Sequence, residues 1–357
     1  MPPRSKPVPA PNKNATASEL AILKMIRSRV ATRGNGPGAL GIVSLGIGDD
    51  CALLAPAASD ELAVTTDLSI EGRHFHLEWH PAESVGHRTL ARGLSDLASM
   101  GAKPAAAFLS LGLPKNLTRS TSKRGSWIDR FLDGFLALAK AHRVPLAGGD
   151  LAESAIAMAD IVLIGSVPRK EALLRSGARP GDALYVTGSL GGSAAELAAL
   201  SQSPRRFARR RSATPPSPHG NSQPHLYPQP RLAQGQWLRK HGATAAIDLS
   251  DGISTDLDHL CEESRVAATI DATLIPIGPG ASLEQALHGG EDYELLFTAP
   301  PSIKLPKRIA GIPVTRIGAI HPYRPKTPRV SLIENGVARP LETHGWEHFS
   351  TQKPKKR

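Results

Sequence analysis

Along this chain the apolar positions switch between helical and strand period. Behind Ser18, a residue type suited to capping, Leu20, Leu23, Ile26 and Val30 recur at helical spacing and predict a helix to about Val30. Residues 61–70, ELAVTTDLSI, are rich in β-branched side chains and predict a strand. Pro81 opens a helical pattern to about Met100, with Leu90, Leu94 and Leu97 on one face. A strand at 105–113, a helix at 122–142 carrying Ile128, Phe131, Phe135 and Leu138, and strands at 144–150 and 155–167 complete a first series. A second series begins near residue 169. It comprises the strand in ALYVTGSLGG, the helix SAAELAAL, a strand and turn at 244–252, a helix from about Ile253 to Ser264, the strand VAATIDA, and a turn and strand at 288–300. Within it, residues 201–230 have no apolar period and predict a long loop. Both series mix strands and helices. The expectation is two α/β or α+β domains, 17–168 and 169–349, with a disordered tail at 1–16 and a basic tail at 350–357.

Composition refines this picture. The 357 residues suffice for two domains with a core in each, and 40% apolar content suits a globular protein. Cys51 and Cys261 form no CxxC pair, so a zinc ribbon or a disulfide framework is not indicated and a reducing cytoplasm fits. No apolar run reaches the roughly 18 residues of a membrane helix, and the basic N-terminus has no apolar stretch behind it, unlike a secretory signal. The net charge of +11 suggests nucleic acid until it is located. Residues 1–18, the loop 201–224 and residues 350–357 hold three, five and four positive charges and no acid, which leaves the folded body at −1. Such runs are solvated, so specific nucleic-acid binding is not expected.

The candidate chemistry is carboxylate. Asp49 and Asp50 in GIGDD, Asp67 in TTD, Asp96 in LSD, Asp150 in GGD, Asp248 and Asp251 in DLSDG, and Glu291 and Asp292 in GGEDYE all sit beside Gly, Ser or Thr at strand ends or turns. Taken singly, each reads as a turn former or a cap, Asp251 before Gly252 most of all. Asp96 differs: it lies inside a helix of small and apolar residues. If these acids converge, they require cations or raised pKa values, since two charges about 4 Å apart repel by roughly 4 kcal/mol at an effective dielectric of 20. Oxygen donors on turns, with few His or Cys nearby, suit Mg²⁺, the usual companion of nucleotide phosphates. The chain has no Gly-Lys dipeptide for a Walker A loop, no GxGxxG between strand and helix, no HExxH and no GxSxG. Phosphate chemistry, where present, is of another kind.

Read in order, GIGDDCALL (46–54), TTDLSIEGRHF (65–75), LARGLSDLASMGAKP (90–104), LAGGD (146–150), LLRSGARPGDALYVTG (173–188), AAIDLSDGISTDLDHL (245–260) and GGEDYELLF (289–297) closely resemble the thiamine-monophosphate kinases. That family belongs to the ATP-binding superfamily of aminoimidazole ribonucleotide synthetase, and the resemblance runs from about residue 18 to Phe349. It implies two α/β domains and a homodimer paired through N-terminal sheets, with ATP near that interface. The activity implied is transfer of the γ-phosphoryl group of ATP to thiamine monophosphate, assisted by several Mg²⁺. It implies a metal shell of Asp50, Thr65, Thr66, Asp67, Asp96, Asp150, Asp248 and Asp251. Gly149, Arg175 and Ser250 would contact ATP, and His74, Glu291 and Trp346 the thiamine phosphate. No catalytic base is assigned, because the attacking phosphate oxygen is already anionic near pH 7. The chain departs from the family at Leu151 and Ala152, where hydroxyl residues commonly follow GGD. The alternatives are another enzyme of the superfamily acting on a different phosphate or carbonyl, and a basic nucleic-acid-binding protein. A C-terminal cysteine of the hydrogenase-maturation kind and an N-terminal reactive cysteine of the selenophosphate synthetase kind are both absent.

Overall fold

A computed structural model gives the fold over residues 19–32, 42–47, 51–120, 125–202 and 223–345. The predicted tails, the Ser18 cap, Asp49 and Asp50, most of the 201–224 loop and Trp346 lie outside the described residues. Helix α1 (Glu19–Thr32) forms as expected but turns a different face inward. Ile22 and Val30 are buried, with Met25 and Ile26 packed beside them, while Leu23 is exposed. Two apolar stripes overlap on this helix, and packing selects the one through Ile22.

Strands β1 (Val43–Leu45) and β2 (Leu53–Leu54) form a small ladder ahead of the first sheet. That sheet joins β3 (Asp60–Ile70), β4 (Lys103–Leu113), β5 (Leu146–Glu153) and β6 (Met158–Pro168) in the order β3-β6-β4-β5, with only β4 and β5 parallel. On one face, Leu109, Leu111, Ile161 and Leu163 pack against α2 (Ala82–Ser99) and α3 (Trp127–His142). Their partners include Leu90, Leu94 and Leu97 of α2, as the spacing predicts. On the other face, Val43 of β1 covers Ala106 and Ala147, while Leu62, Val64 and Leu68 of the edge strand β3 are exposed, Val64 at 60%. The two helices cross closely because glycine meets backbone reciprocally. A Cβ at Gly86 would lie 1.9 Å from the Phe131 carbonyl oxygen, and one at Gly134 would lie 1.8 Å from that of Glu83. Helix α3 starts at Trp127, not 122, because Ser126 and Asp129 form a capping box: Asp129 Oδ2 accepts the Ser126 N–H at 2.8 Å and Ser126 Oγ accepts the Asp129 N–H at 3.3 Å.

The second series builds a mixed sheet from β7 (Ala183–Thr187), β8 (Ala245–Asp248), β9 (Val266–Asp271), β10 (Leu295–Ala299), β11 (Arg308–Ile309), β12 (Ile312–Pro322), β13 (Val330–Glu334) and β14 (Val337–Pro340). Its order is β14-β13-β9-β12-β7-β10-β8, with β11 paired to β12. Helix α4 (Gly192–Gln202) follows β7 and α5 (Leu232–Lys240) precedes β8. Ile253, Leu257 and Leu260 of α6 (Ile253–Ser264) and Leu287 of α7 (Leu283–His288) pack with Leu184, Val186, Ile247 and Leu296 in its core. The first core continues into this half through Leu232, Leu238, Phe297 and Ile309. The described end of the predicted loop also departs from expectation: His225, Leu226 and Tyr227 are each 1% exposed. Contacts with α2, and with Leu200 of α4 for Leu226 and Tyr227, bury them without any regular element, so no period marks them. Arg88 donates to the His225 carbonyl, the His87 Nε2 pairs with the Pro228 carbonyl at 2.7 Å, and Tyr227 meets the His87 ring edge-on.

Candidate functional site

Strand alternation decides what β3 offers. Thr65 and Asp67 lie on the half-buried side facing α2, while the intervening Thr66 is exposed on the other side, so its main chain is all it can turn toward them. Helix α2 answers with Arg88, Arg92 and Asp96, spaced four apart on one stripe. Thr65 Oγ1 donates to Asp96 Oδ2, and Arg92 Nη2 pairs with Asp67 Oδ1 at 2.6 Å. Ser95, next to Asp96, reaches into the second half, where its hydroxyl donates to Asp248 Oδ2 at 2.7 Å at the end of β8. Three elements, and both halves of the chain, thus converge on one group of acids.

The acids sense one another. Burial pushes the Asp67 carboxyl up to about 6 against the opposing pull of Arg92, and Asp96 adds to the rise. Burial raises Asp96 as well, although its Thr65 bond and the charges of Arg175 and Arg92 oppose this. Asp248 is pushed up to about 7, first by burial and then by the charge of Asp96. Asp256 is raised well above the usual range by burial, then by Asp248 and Asp251. Asp251 is therefore joined to the group through Asp256. It does not cap α6: the N-cap is Gly252, and the Asp256 carboxylate accepts the N–H groups of Asp251 and Gly252 at 3.0 and 3.1 Å.

A divalent cation fits this donor set. The donors are oxygens only, and Asp248 is buried with a neutral serine as its hydrogen-bond partner. Among the described residues no three Asp, Glu, His or Cys side chains form a group that would already enclose an ion. The cluster is gathered but held slightly apart, with Arg92 on one of its members.

The other predicted residues are spread around it. Arg175 is exposed at the start of a 3-10 turn, and its charge acts on Asp96 and Asp248. The Ser250 carbonyl accepts the Glu291 N–H at 2.7 Å. Glu291 adopts a left-handed backbone, φ 57°, and pairs with Arg88 at 2.5 Å and with His225 Nδ1 at 3.3 Å. His74 is half-buried in the turn after β3, where its Nδ1 accepts the Ile70 N–H at 3.0 Å, leaving Nε2 as the protonated nitrogen of the neutral ring. Gly149, φ 149°, has no room for a side chain, since a Cβ would lie 1.9 Å from the Leu109 carbonyl oxygen. Asp150 is exposed on β5, its carboxylate turned to the Leu151 N–H at 2.8 Å, and among the described residues it has no hydrogen bond or ion pair to another acid.

Sequence reasoning missed the groups that hold Glu291. His225 is wedged between His80, Nε2 to Nε2 at 3.0 Å, and Ser193 Oγ, 3.0 Å from its Nδ1. Asp292 accepts the Gly191 and Ser193 N–H groups at 2.6 and 3.1 Å and fixes the start of α4. The Arg88, Arg92 and Asp96 spacing was visible in the sequence; His80 stands just before the helix that Pro81 opens, and His225 lies in a segment with no pattern.

The AIR synthase related protein N-terminal domain family matches residues 48–167, and the C-terminal domain family of the same name matches residues 179–305. The chain is 37% identical to thiamine-monophosphate kinase of Salmonella typhimurium over 321 residues, 87% of this chain and 93% of that protein. It is 39% identical to the Escherichia coli K12 enzyme over the same shares. The crystal structure of thiamine-monophosphate kinase from Stenotrophomonas maltophilia K279a superposes with a TM-score of 0.71 at 36% identity, covering 87% of this chain and 96% of that one. AaThiL complexed with AMPPCP and TMP gives 0.68 at 29% identity, covering 93% and 97%. The hydrogenase maturation protein HypE in complex with ATP, at 18% identity and a TM-score of 0.66 over 90% of this chain and 94% of that one, shares the fold.

Proposed function

The chain belongs to the thiamine-monophosphate kinase family, and on that premise we propose that the carboxylate cluster transfers the γ-phosphoryl group of ATP to thiamine monophosphate, giving ADP and thiamine diphosphate. The observation that carries the reading is the convergence of half-buried Asp67 and Asp96 with buried Asp248, from β3, α2 and β8, in a donor set made of oxygens whose charges act on one another. Asp50, Thr65, Thr66, Asp150 and Asp251 complete the proposed Mg²⁺ shell. Mg²⁺, when bound there, neutralises phosphate charge and aligns the attacking and leaving oxygens.

The protein's own residues do the positioning, which dominates phosphoryl transfer. Arg175, with a planar fork and a charge already felt at Asp96 and Asp248, holds nucleotide phosphate from outside the cluster. Gly149 and Ser250 present backbone to ATP. His74 offers Nε2–H to the substrate phosphate. Glu291, kept in place by Arg88 and His225, meets the thiamine portion together with Trp346. No side chain acts as base, because the phosphate acceptor is an anion and needs charge compensation instead of proton removal.

Two copies pair through the first sheet on this reading, a role supported by the exposed Leu62, Val64 and Leu68 on β3. The family matches at 48–167 and 179–305 support the division into units at 17–168 and 169–349. Among the described residues no helix is long and apolar enough to cross a membrane, and a cytoplasmic location belongs to the same proposal. The deciding experiment incubates purified protein with Mg-ATP and thiamine monophosphate and measures thiamine diphosphate. Product that depends on Mg²⁺ supports the reading; none at any Mg²⁺ concentration overturns it.

A further inference from the structure

Arg92 is the unexpected member of the cluster. A site whose acids suit a divalent cation already contains a cation from the protein: the guanidinium, 15% exposed, lies 2.6 Å from Asp67 Oδ1 and donates to Ser69 Oγ at 3.2 Å. It stands one helical turn before Asp96 and one after Arg88, within the electrostatic reach of Glu291 and the buried Tyr293 hydroxyl. A dication bound to the same carboxylate would stand roughly 4 Å from the guanidinium, where partly buried like charges repel strongly. The pair cannot share Asp67 unless an anion comes between them or Arg92 lets go. The anion proposed for this site is a nucleotide phosphate, whose oxygens match the guanidinium fork.

We propose that Arg92 is a resident counter-ion of the cluster, which occupies Asp67 in the free protein, yields it to a divalent cation and then pairs with a phosphate oxygen of the nucleotide, so that cation and nucleotide bind cooperatively. The inference rests on the reading of Asp67 as a metal ligand. It explains why the acids stay together without forming a group that would enclose an ion on its own. It also assigns the coupling to one side chain: metal releases the arginine, nucleotide captures it, and each therefore strengthens the other by the same factor.

The test titrates Mn²⁺ alone into the full chain by calorimetry, then a non-hydrolysable ATP analogue into the Mn²⁺-saturated protein. Arg92→Gln is expected to bind Mn²⁺ about tenfold more tightly than wild type and the analogue about tenfold more weakly, the scale of one charge-assisted contact. Arg92→Lys, which keeps the charge and loses the fork, is expected to bind Mn²⁺ like wild type and the analogue more weakly; it also serves should Arg92→Gln fail to fold. Mn²⁺ affinity unchanged or lowered in Arg92→Gln, with Asp67→Asn still abolishing tight Mn²⁺ binding, overturns the role of Arg92 alone. Unaltered Mn²⁺ binding in Asp67→Asn overturns the metal reading of Asp67 and the present inference with it.

Discussion

The burial of Asp248 converts into a pH dependence that stability measurements can read. This carboxyl is 4% exposed, its oxygen accepts the Ser95 hydroxyl, and burial followed by the charge of Asp96 moves it from an ordinary 3.8 to about 7. A carboxyl whose pKa rises on folding stabilises the native state while protonated. That contribution is fully present below the unfolded value near 4 and is lost as pH rises through about 7. Three pH units at about 1.36 kcal/mol each give an upper bound of about 4 kcal/mol, of which about 3 kcal/mol falls between pH 5 and pH 8. Asp248→Asn keeps the shape and an acceptor for Ser95 but carries no charge. In EDTA, equilibrium urea unfolding should find the variant more stable than wild type at pH 8 by about 2–4 kcal/mol, with the gap shrinking toward pH 5. Kinase turnover should be lost in the same variant, because a proposed metal ligand is gone, so stability and activity move in opposite directions. A pH-independent gap, or a wild type that is the more stable protein at pH 8, would refute the reasoning.

Three further outcomes follow from the packing and the site. Asp67→Asn should abolish turnover with circular dichroism unchanged; unfolding instead would show that the residue serves the core. Gly134→Ala drives a methyl group to 1.8 Å from the Glu83 carbonyl oxygen and should destabilise by about 1–3 kcal/mol or prevent folding; a wild-type urea midpoint would disprove the close α2–α3 crossing. Arg231→Met leaves Glu294 buried without the guanidinium whose Nε lies 2.6 Å from its Oε2, and should cost about 3–5 kcal/mol in the same assay. Adding Glu294→Gln to Arg231→Met should restore part of that loss, and no recovery would count against an uncompensated charge as its cause.

Much of the frame was legible because local chemistry and packing agree. Helix α6 begins and ends where the pattern placed it, since Gly252 precedes it and Arg265, φ 54°, closes it in a left-handed turn. Helix α3 shows the opposite case: Ser126-x-x-Asp129 is a readable capping box, yet the apolar period alone carried the expected start too far toward the N-terminus. On α1 two apolar stripes overlap and only contact with the core chooses Ile22 over Leu23. Among the site residues, Asp67 and Asp96 were visible as acids beside a hydroxyl residue and Asp248 as the strand-end acid of DLSDG, but no periodicity reports that Ser95 bridges the halves or that Arg92 sits on Asp67. His225 was hidden most fully, because an irregular segment is buried by its partners and not by its own pattern.

The eleven-residue register of β3 against β6, from Asp60 opposite Pro168 to Ile70 opposite Met158, carries an evolutionary consequence. Thr65 and Asp67 share one parity along the strand, and Val64, Thr66 and Leu68 share the other. Losing or gaining a single residue upstream within the ladder would exchange the two sets and aim aliphatic side chains at Asp96 while the hydrogen-bonded sheet survived. A change by two residues restores the parity but slides Thr65 and Asp67 about 7 Å along the strand, away from Asp96 and Arg92. An odd change turns the acids to the wrong face and an even one misplaces them on the right face, so the register of β3 upstream of Thr65 is inherited as a unit.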